Sequence, residues 1–169
     1  MKYTSAQAAK LIRTLNEELD ALSEMEEKSS AFTASLDENI EDVRPQYDFL
    51  ETRKKECDLM ERIRKVKHAV NLFNAGTVVP GFDMTIDRML VYIPQLNERK
   101  RRLSEMALRL PKERNRAYAS AGNTVIEYTY ANYDVEEARR MLAEVTDTLA
   151  KAQTALDELN NSVTFEIEV

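Results

Sequence analysis

The strongest constraint on this chain lies between residues 135 and 159. There Val135, Ala138, Leu142, Val145, Leu149, Ala152, Leu156 and Leu159 alternate intervals of three and four without a break. That spacing lines eight apolar side chains along one stripe of an α-helix and leaves charged residues on the remaining surface. A stripe this regular needs a packed partner, because helices gain little stability from propensity alone. Asp134 and Glu137 stand where a capping box would start it, predicting a helix over 135–160.

Three more stripes supply partners. Ala8, Ile12, Leu15, Leu19 and Leu22 follow a second capping box, Thr4 with Gln7, and predict a helix over 5–29. Leu59, Ile63, Val66, Val70 and Phe73 pattern the second half of a helix expected over 45–73, with Pro45 as its first residue and Asn74-Ala75-Gly76 as its stop. Ile86, Met89, Ile93, Leu96, Leu103, Ala107 and Leu110, interrupted by Lys100, predict a helix over 85–110. Pro94 removes a bond to the Leu90 carbonyl and should bend that helix, and Pro111 ends it. Residues 30–44 read as a polar connector with apolar anchors at Phe32, Leu36, Ile40 and Val43 and room for a helical turn.

Two segments change to the period of a strand. Residues 124–130 are β-branched and aromatic, and residues 163–169 alternate apolar with polar side chains. Residues 77–84 add two short extended pieces around Pro80-Gly81, a pair suited to a type II turn. The expected fold is therefore mainly α: one domain over 1–169, an antiparallel four-helix bundle with coiled-coil-like packing and short strands or a hairpin at the bundle ends. In such a bundle the 163–169 strand would meet the 77–84 hairpin.

Net charge is −6, but it is unevenly placed: residues 1–52 carry −7, residues 53–116 carry +8 and residues 117–169 carry −7. Basic helices beside acidic ones explain this as complementary bundle edges. A nucleic-acid face is the sharper alternative, carried by Arg99, Lys100, Arg101, Arg102, Lys112 and Arg114 together with Arg53-Lys54-Lys55 and Arg116. The acidic flanks and the absence of aromatics interleaved with these runs weigh against it.

Little points to catalysis. His68 is the one histidine and lies off the Leu59–Phe73 stripe, so it reads as a partly exposed helix residue. Cys57 reads as a small buried hydrophobe. Adjacent acidic pairs such as Glu17-Glu18 and Glu136-Glu137 point about 100° apart on a helix and read as solvated faces. No Glu-x-x-His pair occurs, which removes the di-iron bundle, and three glycines leave no phosphate-binding pattern. No cofactor or metal is expected. No apolar run approaches the ~18 residues of a membrane span, and Met1-Lys2-Tyr3-Thr4-Ser5 leads into an amphipathic pattern rather than a signal core, so the expected location is cytoplasmic.

The order of elements resembles a known family. An Asn-containing helix exit at Asn71 and Asn74, a turn into Met84-Thr85, a basic helix, a tyrosine-rich strand running into Tyr133-Asp134-Val135, and a final helix ending at Leu159-Asn160 before a Thr/Glu tail are similar to the septicolysin-like family of small bacterial helical proteins. This chain departs from it at Pro80-Gly81 and Pro94. The resemblance implies a helical, oligomeric protein and supplies no catalytic residue. Through the family name alone it implies a membrane-active, pore-forming alternative.

The expected function is accordingly that of a non-enzymatic, self-associating scaffold or interaction protein, with a nucleic-acid-associated protein as the alternative. The candidate oligomer interface is the apolar face of the C-terminal strand, Val163, Phe165, Ile167 and Val169, with Tyr128 and Tyr130. Whether that strand pairs within one chain or between two is left open by the residues themselves.

Overall fold

A computed structural model describes residues 1–114 and 126–168. Its elements in chain order are β1 (Lys2–Thr4), α1 (Ser5–Ser29), α2 (Ile40–Val43), α3 (Phe49–Gly76), α4 (Ile86–Ala107), β2 (Lys112–Arg114), β3 (Tyr128–Tyr130), α5 (Val135–Ser162) and β4 (Thr164–Glu166). The protein is mainly helical with a few short strands. The chain divides into two compact units, residues 1–77 with 158–169, and residues 78–157.

In the first unit α1 and α3 form the helix pair. The Thr4 hydroxyl accepts from the Gln7 N–H at 3.2 Å and the Gln7 side chain accepts from the Thr4 N–H at 3.0 Å, completing the expected capping box. The core is Ala8, Leu15, Ile63, Val66 and Ile167, with Leu11, Ile12, Leu59 and Val70 packed around it. The connector holds the single helical turn of α2. Helix α3 starts at Phe49 rather than Pro45 because the Asp48 carboxylate accepts from the Glu51 N–H at 2.9 Å, and an Asp N-cap of this kind sets the boundary. Tyr47 donates to Glu26 on α1 at 2.5 Å, and Arg53 forms an ion pair with the same carboxylate.

The C-terminal strand corrects the expected pairing. β4 runs antiparallel to β1, with Lys2 opposite Glu166, Tyr3 opposite Phe165 and Thr4 opposite Thr164, and Ile167 donates to the Met1 carbonyl at 2.9 Å. Residues 77–84 are not its partner. The reason is visible in the side chains: Ile167 is 1% exposed within the α1–α3 core, and Phe165 stacks on Phe73 with ring centroids 4.5 Å apart. Three residues ahead of α1 were too few to show a strand period, so β1 had no signature of its own.

In the second unit α4 and α5 supply the helices. The Val79–Phe82 turn has Phe82 donating to the Val79 carbonyl at 3.1 Å and Gly81 at φ 78°, as a type II turn requires. Val79 donates to Met84 at 2.9 Å, and Val78 bridges to Thr85. The stripe residues Ile86, Met89, Leu96, Leu103 and Ala107 are buried, as are six of the seven α5 stripe residues in this unit, Leu142 being half-buried. Helix α4 continues through Pro94 and ends at Ala107, short of the expected Leu110. Its last carbonyls are met from the start of α5: the Tyr133 hydroxyl donates to Met106 at 2.8 Å and Arg139 Nε to Ala107 at 3.2 Å. Leu110 is left exposed. At the α5 start the Asp134 carboxylate accepts from the Glu136 N–H at 2.9 Å and from the Glu137 N–H at 3.4 Å, the first half of the expected box, while the Glu137 carboxylate turns to Arg140 at 2.5 Å instead of closing it.

Candidate interaction surfaces

The side chains named from sequence as an oligomer seam are divided by the fold. Ile167 is in the core of the first unit, Phe165 is stacked on Phe73, and Val163 is half-buried. Val169 lies outside the described residues. Of the two pairings left open for this strand, the one formed is within the chain.

Tyr128 and Tyr130 belong to a different structure, a ribbon in which Lys112 lies opposite Tyr130 and Arg114 opposite Tyr128. Opposite residues of an antiparallel pair, and residues two apart on one strand, share a face. All four side chains therefore stand on one side of the ribbon, and all four are exposed. Lys112 Nζ lies 4.1 Å from the Tyr128 ring centroid and 5.4 Å from that of Tyr130. Aromatics do interleave with cations here. Sequence inspection missed it because the lysine and the tyrosines are far apart along the chain, and Lys112–Arg114 is too short to display a period. Of the expected 124–130 strand, residues 124 and 125 lie outside the described residues, as does Arg116.

The basic run on α4 is partly neutralised where it stands. Arg101 donates to Glu98 twice at 2.9 Å and to Glu105 at 2.5 Å, and Arg102 donates to Glu98 at 2.7 Å. Hydrogen bonds from Arg101 and then Arg102 hold the Glu98 carboxyl down at about 2, and Glu98 raises the Arg101 guanidinium above its ordinary value. Two of the four cations in 99–102 are thus paired along the helix, Lys100 is half-buried, and Arg99 is exposed. Asp87 at the start of the same helix is lowered by its hydrogen bond from the Thr85 hydroxyl.

Cys57 is exposed, which corrects its reading as a buried hydrophobe: it points away from the α3 stripe of Leu59, Ile63 and Val66. His68 is exposed. Among the described residues no three His, Cys, Asp or Glu side chains cluster as metal ligands would, and no helix is long and apolar enough to cross a membrane.

An apolar opening of the first unit lies between α1 and α3, on the side toward the connector. It is a groove of about 510 Å³ floored by Leu22, Met25 and Leu59 and edged by Glu18 on α1 and by Lys55 and Arg62 on α3. Asp58 and Ala21 complete its lining. Beyond it, six large apolar side chains between residues 32 and 50 are exposed: Phe32, Leu36, Ile40, Val43, Phe49 and Leu50. Leu36 is fully in solvent at 105%. Two helices alone can bury only the seam between them, so the apolar residues flanking that seam stay open at this end.

No family model matches this chain, and no curated protein matches it. Among solved structures it is similar to the crystal structure of a conserved protein of unknown function from Corynebacterium diphtheriae, at 14% identity and a TM-score of 0.58, over 98% of this chain and 100% of that one. That likeness concerns the fold.

Proposed function

We propose that this protein works by association, first with itself, as a non-enzymatic helical scaffold in the cytoplasm. The observation that carries this is the open groove between α1 and α3 with the exposed apolar side chains beside it. Exposed apolar surface of this kind costs solubility unless a partner covers it. The resemblance to the septicolysin-like family supports the oligomeric half of the proposal. Light scattering on the full chain at roughly 100 µM, a concentration at which even a weak micromolar dimer is populated, tests it: a mass above one chain is expected, and a strict monomer would overturn it.

A second function is favoured by the ribbon. Lys112, Arg114, Tyr128 and Tyr130 present two cations and two rings on one exposed face, the combination that holds phosphates and stacks bases in single-stranded nucleic acid. A labelled oligonucleotide should gain anisotropy on adding the protein, with the gain lost in Tyr128→Ala/Tyr130→Ala. No change at low salt with the unaltered chain would rule the ribbon out.

A further inference from the structure

The groove of the first unit has a natural occupant in the helices that build it. Helix α1 carries six acidic and three basic residues, and α3 carries seven basic and four acidic. One edge of the helix pair is therefore negative and the other positive. The groove repeats this in its lining, with Glu18 on the α1 side and Lys55 and Arg62 on the α3 side, Asp58 being the acidic member among the latter. Neither Glu18 nor Arg62 has an ion-pair partner among the described residues.

Their level along the pair is set by the Glu26–Arg53 ion pair. Eight residues back along α1 reach Glu18 and nine forward along α3 reach Arg62, about 12 and about 14 Å from that pair at ~1.5 Å per residue. Glu18 and Arg62 thus stand opposite one another at one height, on two edges of opposite charge.

We infer that the groove receives the same groove of a second copy, related by a two-fold axis parallel to the helices, so that α1 of each copy lies against α3 of the other and two helix pairs close one four-helix bundle. The charges select this axis. A two-fold axis perpendicular to the helices and in the contact plane would set α1 against α1, acidic edge on acidic edge. The parallel axis sets every helix between neighbours of opposite sign, makes every neighbouring pair antiparallel as in an up-down bundle, and keeps heights, so Glu18 of one copy meets Arg62 of the other twice. Leu22, Met25 and Leu59 of both copies become the shared core. The exposed apolar side chains between residues 32 and 50 come to the same end of the dimer. The bundle that the apolar stripes demand is completed, in this unit, by association rather than by one chain.

This inference rests on the self-association proposed above, and the test separates the two. Glu18→Arg and Arg62→Glu each set like charges together at both symmetric contacts and should each weaken the homodimer by about tenfold or more. Mixing the two variants restores opposite charges at both contacts, because one copy is then positive at both positions and the other negative at both. Native mass spectrometry of the mixture should therefore show the heterodimer in preference to either homodimer. Circular dichroism checks that each variant keeps its helices. Homodimers of unaltered strength in the single variants would overturn this seam and leave self-association standing, and loss in both without heterodimer on mixing overturns it equally. An unaltered chain that is monomeric at roughly 100 µM would remove both.

Discussion

Replacing Ile167 by Ala tests whether the C-terminal strand is part of the first unit's core. Ile167 is 1% exposed and belongs to the cluster of Ala8, Leu15, Ile63 and Val66, which come from α1 and α3. The substitution removes three carbons, and ~0.8 kcal/mol for each buried carbon gives about 2.4 kcal/mol of lost transfer free energy. The strand is held at this place by Ile167 donating to the Met1 carbonyl at 2.9 Å, so the space closes incompletely and a cavity term is added. About 3 kcal/mol is expected, inside the ~2–5 kcal/mol range of such changes. Amide hydrogen exchange resolved along α1 reads the first unit separately from the second, and protection around Leu15 should fall by that amount. Glu166→Ala, one residue away and exposed, should change it by less than about 0.5 kcal/mol. A loss below about 1 kcal/mol for Ile167→Ala, or one equal to that of Glu166→Ala, would refute the packing of the segment that follows β4 into this core.

Two further outcomes follow from the second unit. Gly81 has φ 78°, so Gly81→Ala should destabilise that unit by about 1–2 kcal/mol although a Cβ would meet nothing within 4 Å; equal thermal stability would show that the turn does not need this conformation. Glu98 is lowered from 4.5 to about 2 by Arg101 and Arg102, so its ion pairs are complete above its ordinary value and are lost as pH falls through about 2. A carboxyl titration followed by NMR should place its midpoint well below that of an unpaired glutamate, and a midpoint near 4.5 would dissolve the clamp.

The helices were the legible part of this fold. The apolar stripes of α4 and α5 are buried almost residue for residue, and the Thr4–Gln7 and Pro80-Gly81 signals give the cap and the turn they predict. These are local patterns, readable within one or two turns. The pairing of distant segments was not legible. Nothing in Lys2–Thr4 announces a strand that takes β4 from the 77–84 hairpin, and nothing in Lys112–Arg114 announces the tyrosines opposite it. Cys57 shows the same limit on a smaller scale: residue type alone did not fix which side of α3 it occupies.

The parallel two-fold pairing can be measured by double electron–electron resonance in a Cys57→Ser background, which removes the exposed native thiol. Single spin labels at Lys10 and at Lys28, both exposed, stand eighteen residues or five turns apart on one side of α1. With the axis parallel to the helices, the two copies hold equal heights, so both labels should report the same interchain distance. An antiparallel pairing centred on the groove near Leu22 would add about 36 Å of axial separation at Lys10 but only about 18 Å at Lys28. Unequal distances of that kind, or no dipolar coupling at either site, would contradict the shared bundle.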